Sequence, residues 1–277
     1  MQSTNKNPLD IDSIVQKIGT SEAYVRARND VESTETTDGD RRRAAIRIAA
    51  TALKGEQTSG YLSPEGHAMN ITAQLTTFNE AYQVLNRAKR EQIGSREKNQ
   101  ARRKVSEFFH AVKDMVDSNP SLQFNDVSSF ILTMNQVVNG RASSGPDFEH
   151  EVRTRLVGMR HEIAAEQMLG YMPDVEYRES TIDEDLKGAD LFISIDGSPM
   201  TRVDIKASKE TAERERDNAL RNGYSAGYIV WSHVENDEFN GSFRISNELA
   251  AERSVALYSD LQQVVRVQKI ADQRSVS

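Results

Sequence analysis

The sequence predicts an α+β protein in which a helical N-terminal domain, residues 1–145, precedes an α/β domain with a central mixed sheet, residues 146–277. In the first part, apolar residues recur three and four positions apart, which is the spacing of one helix face. In the second part, short runs of strand-forming residues alternate with helical segments. Residues 139–146, between the two parts, have the sequence NGRASSGP and are dense in turn-forming residues, so we place the domain boundary there.

Four amphipathic helices are predicted in the N-terminal domain from their apolar spacing. Gly55 would end the first of them, and Ser118-Asn119-Pro120 would end the third. The residues that define the four apolar stripes are Ile46, Ala49, Ala50 and Leu53; Ile71, Leu75, Phe78, Tyr82 and Leu85; Val105, Phe108, Phe109, Val112 and Val116; and Phe124, Val127, Phe130, Ile131, Met134 and Val138.

The C-terminal domain is predicted to begin with a helix and then to contain three strands, a helix, a fourth strand and a C-terminal helix. The dipeptide Asp196-Gly197, between the second and third strands, is a strong hairpin signal. The expected positions are a helix at 147–171, strands at 174–178, 191–195 and 200–205, a helix at 208–221, a strand at 228–232, and a last β-type run at 263–267.

The composition excludes several kinds of site. A chain without cysteine cannot form a disulfide, a thiolate zinc site or a cysteine nucleophile. No run approaches the roughly 18 apolar residues that a membrane helix needs, and the N-terminus lacks the apolar core of a signal peptide. We therefore expect a soluble, cytoplasmic protein with no membrane partner.

The charge is distributed unevenly along the chain. The net charge is −7, but residues 1–145 have a net charge of +2 and residues 146–277 a net charge of −9. Arginine outnumbers lysine by 24 to 11, and arginine is the cation that forms paired hydrogen bonds with phosphates and guanine edges. This bias points weakly to a nucleic-acid partner, although ordinary surface arginine would give the same composition.

The segment most informative about chemistry is residues 188–209, GADLFISIDGSPMTRVDIKASK. Side chains two residues apart in a strand share a face, so Asp204 and Lys206 would point the same way while the residues between them face the core. Asp190 begins the strand that the hairpin folds back beside them, which brings its carboxylate near Asp204. Two carboxylates with open coordination positions suit Mg²⁺, and Lys206 could orient an attacking water and offset charge on a phosphate.

A third carboxylate is available from the helix that precedes the first strand. Glu162 and Glu166 are four residues apart and share one helix face. A surface hairpin with a solvated Asp/Lys pair is the alternative interpretation of Asp204 and Lys206. The order of the surrounding elements favours the metal site.

Over about residues 147–232 this order of elements resembles the PD-(D/E)xK nuclease core. The resemblance implies a restriction-endonuclease-like fold and Mg²⁺-dependent hydrolysis of phosphodiesters. It implies Asp190, Asp204 and Lys206 as catalytic residues, Asp190 and Asp204 as metal ligands, and Glu162 as the helix carboxylate. Ala189 precedes Asp190, where the family pattern has proline.

The helix after Lys206 contains Arg214-Glu215-Arg216, which resembles the R-(D/E)-R element of type II restriction endonucleases that recognise CCGG-type sites. The resemblance implies base recognition by these three residues, because a carboxylate accepts hydrogen bonds from cytosine N4 and arginine binds guanine O6 and N7. Several members place a glutamate downstream of the lysine, so Glu213 is an alternative to Glu162. A solvated helix face with Arg/Glu pairing would explain the same three residues.

A CCGG-type site is palindromic, because it reads the same on both DNA strands. Recognition of a palindromic site requires a two-fold symmetric protein. We therefore expect double-stranded DNA as the substrate, and a homodimer, or a higher oligomer built from it, as the active form. A structure-selective nuclease similar to a junction resolvase is the alternative enzyme.

Two segments of the N-terminal domain are candidates for DNA contact. Residues 12–28 have the pattern of a helix-turn-helix around Gly19-Thr20-Ser21. The same pattern is compatible with an ordinary two-helix corner. If this segment binds DNA and the carboxylates are only structural, the alternative function is that of a DNA-binding regulator without enzymatic activity. Residues 87–104 contain eight Lys and Arg against two acids. Within this run, Arg102, Arg103 and Lys104 are the candidates for contact with the DNA backbone. A solvated helix face is the alternative interpretation of the run.

Overall fold

The computed structural model describes residues 9–31, 37–55, 63–222 and 228–275. Within these residues the protein is an α+β fold with a mixed sheet of four strands, as the sequence predicts. The chain divides into two compact units, one ending at Arg153 and one beginning at Thr154. The division falls inside helix α7, Pro146–Leu169.

The N-terminal unit is helical, and the four helices predicted from apolar spacing are confirmed. Phe78 lies at the centre of its core, where its ring stacks on Phe108 with centroids 4.2 Å apart and contacts the edge of Phe109. Phe78, Phe108 and Phe109 are all buried, and such aromatic contacts stabilise the packing of the helices. The helices are α1 Ile11–Thr20, α2 Glu22–Val31, α3 Asp38–Gly55, α4 Pro64–Arg87, α5 Ser95–Ser118 and α6 Phe124–Asn139.

The connection between α1 and α2 is shorter than the predicted three-residue turn. Gly19 and Thr20 belong to α1, and Ser21 alone separates the two helices. The Ser21 hydroxyl donates to the carbonyl of Ile18 at 2.7 Å and accepts from the Tyr24 amide at 3.1 Å, so a single side chain serves both helix ends.

The C-terminal unit contains the sheet, in the order β1-β2-β3-β4. The first three strands are antiparallel neighbours, whereas β3 and β4 are parallel and are joined through helix α9. The elements are β1 Val175–Glu179, the one-turn helix α8 Ile182–Asp185, β2 Leu191–Ile195, β3 Thr201–Lys206, α9 Lys209–Arg221, β4 Ile229–Trp231 and α10 Asn247–Ser275.

The predicted hairpin joins β2 and β3. Asp196 and Gly197 have φ values of 52° and 66°, and the Ser198 amide donates to the Ile195 carbonyl at 3.0 Å. Two consecutive positive φ values are those of a type I′ turn, whose twist matches that of the strands on either side. Leu191 lies opposite Val203, so the chain between the turn and β3 contains one residue more than the two-residue turn alone would require.

The predicted β-type run at residues 263–267 is wrong, because these residues lie inside α10. Leu257, Leu261 and Val264 follow one another at helical spacing and are all buried in the core. A β-branched pair gives a local strand signal, but burial of the whole helical stripe outweighs it. None of the helices in the described ranges is long and apolar enough to cross a membrane.

The core of the C-terminal unit lies on one face of the sheet. Buried residues of α7 and α10, among them Ala164 and Leu261, pack there against Val203 and Ile205 of β3. Because strand side chains alternate between faces, Asp204 and Lys206 project from the opposite face.

Candidate active site

The side chains of Asp204 and Lys206 meet on β3. Asp204 is only 8% exposed, and the Lys206 Nζ lies 2.8 Å from its Oδ1. The parallel pairing with β4 continues through both residues, so the strand is held on this side by Ile229 and Trp231. A carboxylate and an ammonium group are therefore fixed on a rigid strand.

Asp190 lies directly before β2 and reaches across to β3. Its Oδ2 accepts a hydrogen bond from the Ile205 amide at 2.6 Å, and its own amide donates to the Val203 carbonyl at 2.8 Å. Its carboxyl group is close enough to that of Asp204 for each to affect the pKa of the other. The structure therefore brings Asp190, Asp204 and Lys206 together.

The electrostatics of the two aspartates indicate a local excess of negative charge. Burial raises the pKa of Asp190 well above its usual range, and the nearby charges of Glu162 and Asp204 raise it further. Burial also raises the pKa of Asp204, although Lys206 opposes the shift. Two adjacent carboxyl groups that resist ionisation are a suitable site for a cation.

Lys206 is shared between two carboxylates. Besides Asp204, its Nζ contacts the Oε2 of Glu215 on α9 at 2.9 Å. Burial would lower the pKa of this lysine, but the charges and hydrogen bonds of Asp204 and Glu215 outweigh burial and raise the pKa above its ordinary value. Lys206 is therefore a protonated donor and not a base at neutral pH.

Of the carboxylates considered for the third position, Glu162 is the one whose charge acts on Asp190. Glu166 is half-buried one turn further along α7. Glu213 is exposed on α9, with its Oε1 3.9 Å from the Nζ of Lys209.

The three residues of the Arg-Glu-Arg element have different surroundings. Arg214 is exposed, while the Arg216 Nε donates to the carbonyl of Ile229 at 2.7 Å and so connects α9 to β4. Glu215 contacts Lys206. The element therefore lies beside the catalytic candidates, with one arginine open to solvent and one engaged in packing the helix on the sheet.

A buried histidine network supports the position of α7. The Nδ1 of His161, next to Glu162, lies 2.7 Å from the Ser232 Oγ, and its Nε2 lies 3.1 Å from the Asn236 Oδ1. The Ser232 amide in turn donates to the carbonyl of Lys206 at 3.1 Å. Burial lowers the pKa of His161 to about 4, so the ring is neutral at physiological pH. Nothing in the sequence indicated this network, because its members are about 70 residues apart.

The cations of the N-terminal unit lie on the surface of α5. Arg102, Arg103 and Lys104 are all exposed, and the Arg103 Nε contacts the Glu107 Oε1 at 3.2 Å. In α2, Arg26 pairs with Glu22 and the Arg28 Nη1 donates to the Tyr24 hydroxyl at 3.3 Å.

Sequence reasoning missed Arg202, whose guanidinium lies 3.7 Å from the ring centroid of Tyr228. Strand alternation could have found it, because Arg202 is two residues before Asp204 and shares its face.

The carboxylates and the lysine thus form one constellation on the C-terminal unit. Comparisons of the chain with protein-family models, with curated proteins and with solved structures found no significant match.

Proposed function

We propose that the protein is a Mg²⁺-dependent type II restriction endonuclease that cleaves double-stranded DNA at a palindromic site with a CCGG-type core and acts in the cytoplasm. The observation that supports this most is the meeting of Asp190, Asp204 and Lys206 at the start of a hairpin, with the charge of Glu162 beside them. In this proposal the C-terminal unit is a restriction-endonuclease-like core.

The donor set fits Mg²⁺. Asp190 and Asp204 would hold the ion, since hard carboxylate oxygens are its preferred protein ligands. Burial raises the pKa of both groups, and the charge of Asp204 further hinders ionisation of Asp190 without a cation. Across the described part of the chain no three or more His, Asp or Glu side chains form a ready-made ligand cluster. Two carboxylates are nevertheless sufficient where phosphate oxygens and water complete the shell. A bound Mg²⁺ supplies positive charge that offsets the charge developing on the phosphate.

Lys206 has a separate role in this proposal. Because its pKa is raised, it stays protonated and offers hydrogen bonds to a phosphate oxygen or to the attacking water. Its contacts with Asp204 and Glu215 hold the ammonium group in place before the substrate arrives. Such preorganisation lowers the cost of stabilising the transition state.

Base recognition is assigned to Arg214, Glu215 and Arg216. Glu215 would accept hydrogen bonds from cytosine N4 groups, and the arginines would bind the neighbouring guanines. The Arg216 Nε already donates within the protein, so only the terminal nitrogens of its guanidinium would be used. Palindromic recognition needs two copies of this element, hence a homodimer.

Digestion of a sequenced plasmid with Mg²⁺, followed by mapping of the ends, tests the proposal. We expect discrete fragments whose ends share a palindrome with a CCGG core, and no cleavage with EDTA. A smear or cleavage at branched structures would identify a structure-selective nuclease. Specific DNA binding with no cleavage at all would identify a regulator.

A further inference from the structure

Arg202 belongs to the same row of side chains as Asp204 and Lys206. Val203 and Ile205 are buried in the core, so Arg202, Asp204 and Lys206 alternate with them on the opposite face. Two residues of a strand span about 6.7 Å, so Arg202 lies one position along the row from the carboxylate. An arginine side chain at this spacing can reach a group beside the one held at Asp204.

The guanidinium of Arg202 is oriented without its donors being used. Its central carbon lies 3.7 Å from the ring centroid of Tyr228, which precedes β4. Stacking uses the flat face of the group and leaves the N–H edge available. Among the described residues Arg202 forms no ion pair and donates no hydrogen bond.

Arg178 on β1 is a natural comparison. It also stacks on an aromatic ring, with its guanidinium carbon 4.1 Å from the centroid of Phe192, the residue that faces Arg202 across β2 and β3. Both of its terminal nitrogens, however, bind the carboxylate of Glu184 at 2.8 and 2.9 Å. The two arginines share their stacking geometry and differ in the availability of their donors.

We propose that Arg202 binds a backbone phosphate next to the scissile bond and so fixes the register of the DNA strand over the candidate active site. This inference rests on the proposed nuclease function. Asp190, Asp204 and Glu215 surround a single lysine, so a polyanionic strand needs further cations at this edge. A planar guanidinium with free N–H donors matches the geometry of a phosphate.

The test compares Arg202→Gln with Arg178→Gln in binding of a short duplex, measured by fluorescence anisotropy in Ca²⁺ between 50 and 200 mM salt. One lost phosphate contact lowers the slope of log affinity against log salt concentration by about one unit. Raising the salt across this range should therefore weaken binding by Arg202→Gln less than binding by the wild type, and the two losses should differ on the order of 3-fold. Arg178→Gln should keep the wild-type slope. Arg202→Lys should also keep the slope, because it retains the charge. If Arg202→Gln does not fold, Arg202→Met is the second neutral variant and should show the same reduced slope.

A second measurement locates the contact. Each duplex in a series carries one neutral methylphosphonate, at a different position along the strand. Wild-type binding should weaken when the methylphosphonate is adjacent to the cut. Binding by Arg202→Gln should not be affected by a methylphosphonate at that position. If Arg202→Gln keeps both the wild-type salt slope and the wild-type methylphosphonate pattern, the inference about Arg202 is wrong. The proposed function still stands in that case, provided that the wild type cleaves DNA in Mg²⁺. If the wild type neither binds nor cuts DNA, both are wrong.

Discussion

At the scale of single residues, the ammonium group of Lys206 connects two parts of the proposed site. It contacts Asp204 at 2.8 Å and Glu215 at 2.9 Å, so the residue assigned to catalysis touches a residue assigned to base recognition. Whatever rearranges Glu215 therefore changes the electrostatic environment of Lys206. Substitutions of Asp204 and Lys206 are expected to affect mainly cleavage, and substitution of Glu215 is expected to affect mainly sequence-specific binding.

Replacing either Asp204 or Lys206 by alanine should lower the rate of Mg²⁺-dependent cleavage by at least about 100-fold, because each removes a charged group that the proposed function places beside the scissile phosphate. The fold should persist, as the core-facing residues of β3 are unchanged. Single-turnover cleavage and circular dichroism measure the two effects. Lys209→Ala, which removes an exposed lysine three residues further along the chain, is the matched control and should cut normally. Substantial cutting by either active-site variant would remove the assignment.

Glu215→Ala should nearly abolish binding to a CCGG duplex and leave weak, salt-sensitive binding to random DNA. Loss of a base contact of this type costs about 2 kcal/mol, or roughly 30-fold in affinity. Anisotropy titrations of both duplexes in Ca²⁺ measure the ratio. Glu213→Ala removes an exposed carboxylate of the same helix and should behave as the wild type. If Glu215→Ala cuts the same sites at the same rate, its role in base recognition is excluded.

At the scale of elements, α7 is connected to the end of β3 through His161 and Ser232. Arg160, the residue before His161, lies with its guanidinium carbon 4.5 Å from the ring centroid of Phe239 and donates to Asn236. These contacts fix the helix that contains Glu162. They also require the imidazole to stay neutral, since burial disfavours its charged form.

The stability of the protein should therefore depend on the protonation of His161. The folded protein takes up this proton near pH 4, whereas the unfolded chain does so near the ordinary value of 6.5. The unfolded state binds more protons in this window, so the contribution is complete above pH 6.5 and is lost as the pH falls towards 4, by roughly 3 kcal/mol at most. Urea unfolding at pH 7.5 and pH 5 measures it. His161→Gln should be less stable at pH 7.5 but should lose less stability on acidification than the wild type; equal losses would contradict the prediction.

The exposed cations of α5 are expected to affect affinity and not sequence choice. Replacing Arg102, Arg103 and Lys104 by alanine should reduce the salt slope of DNA binding by about one unit per lost phosphate contact. Arg103 should contribute least, because Glu107 already neutralises part of its charge. Arg153→Ala, which removes an arginine paired with Glu149, is the control. An unchanged slope would identify this run as a solvated helix face.

At the scale of the whole molecule, the proposed palindromic site requires two copies of the C-terminal unit. We expect the protein in solution to have twice the chain mass of 31.1 kDa, or a multiple of that dimer. Light scattering coupled to size-exclusion chromatography, with and without a CCGG duplex, measures this. A protein that stays monomeric on DNA and nicks one strand at a time would contradict the prediction.

Most of the secondary structure follows from short-range patterns in the sequence. The helix faces of α3 to α6 follow from their apolar spacing, and β2 has the predicted bounds. The exception, residues 263–267, shows the limit of a local signal, since burial of Leu257 and Leu261 decides that Val264 belongs to a helix.

For the site, the sequence by itself determined the proximity of Asp190, Asp204 and Lys206. A tight hairpin and strand alternation are local rules, and together they leave little freedom in where these side chains lie. Only the tertiary structure decided that Lys206 contacts Glu215, that Tyr228 supports Arg202, and that His161 joins Ser232. These contacts depend on how helices pack on the sheet, and packing is set by the shape of the whole core, which no short segment encodes.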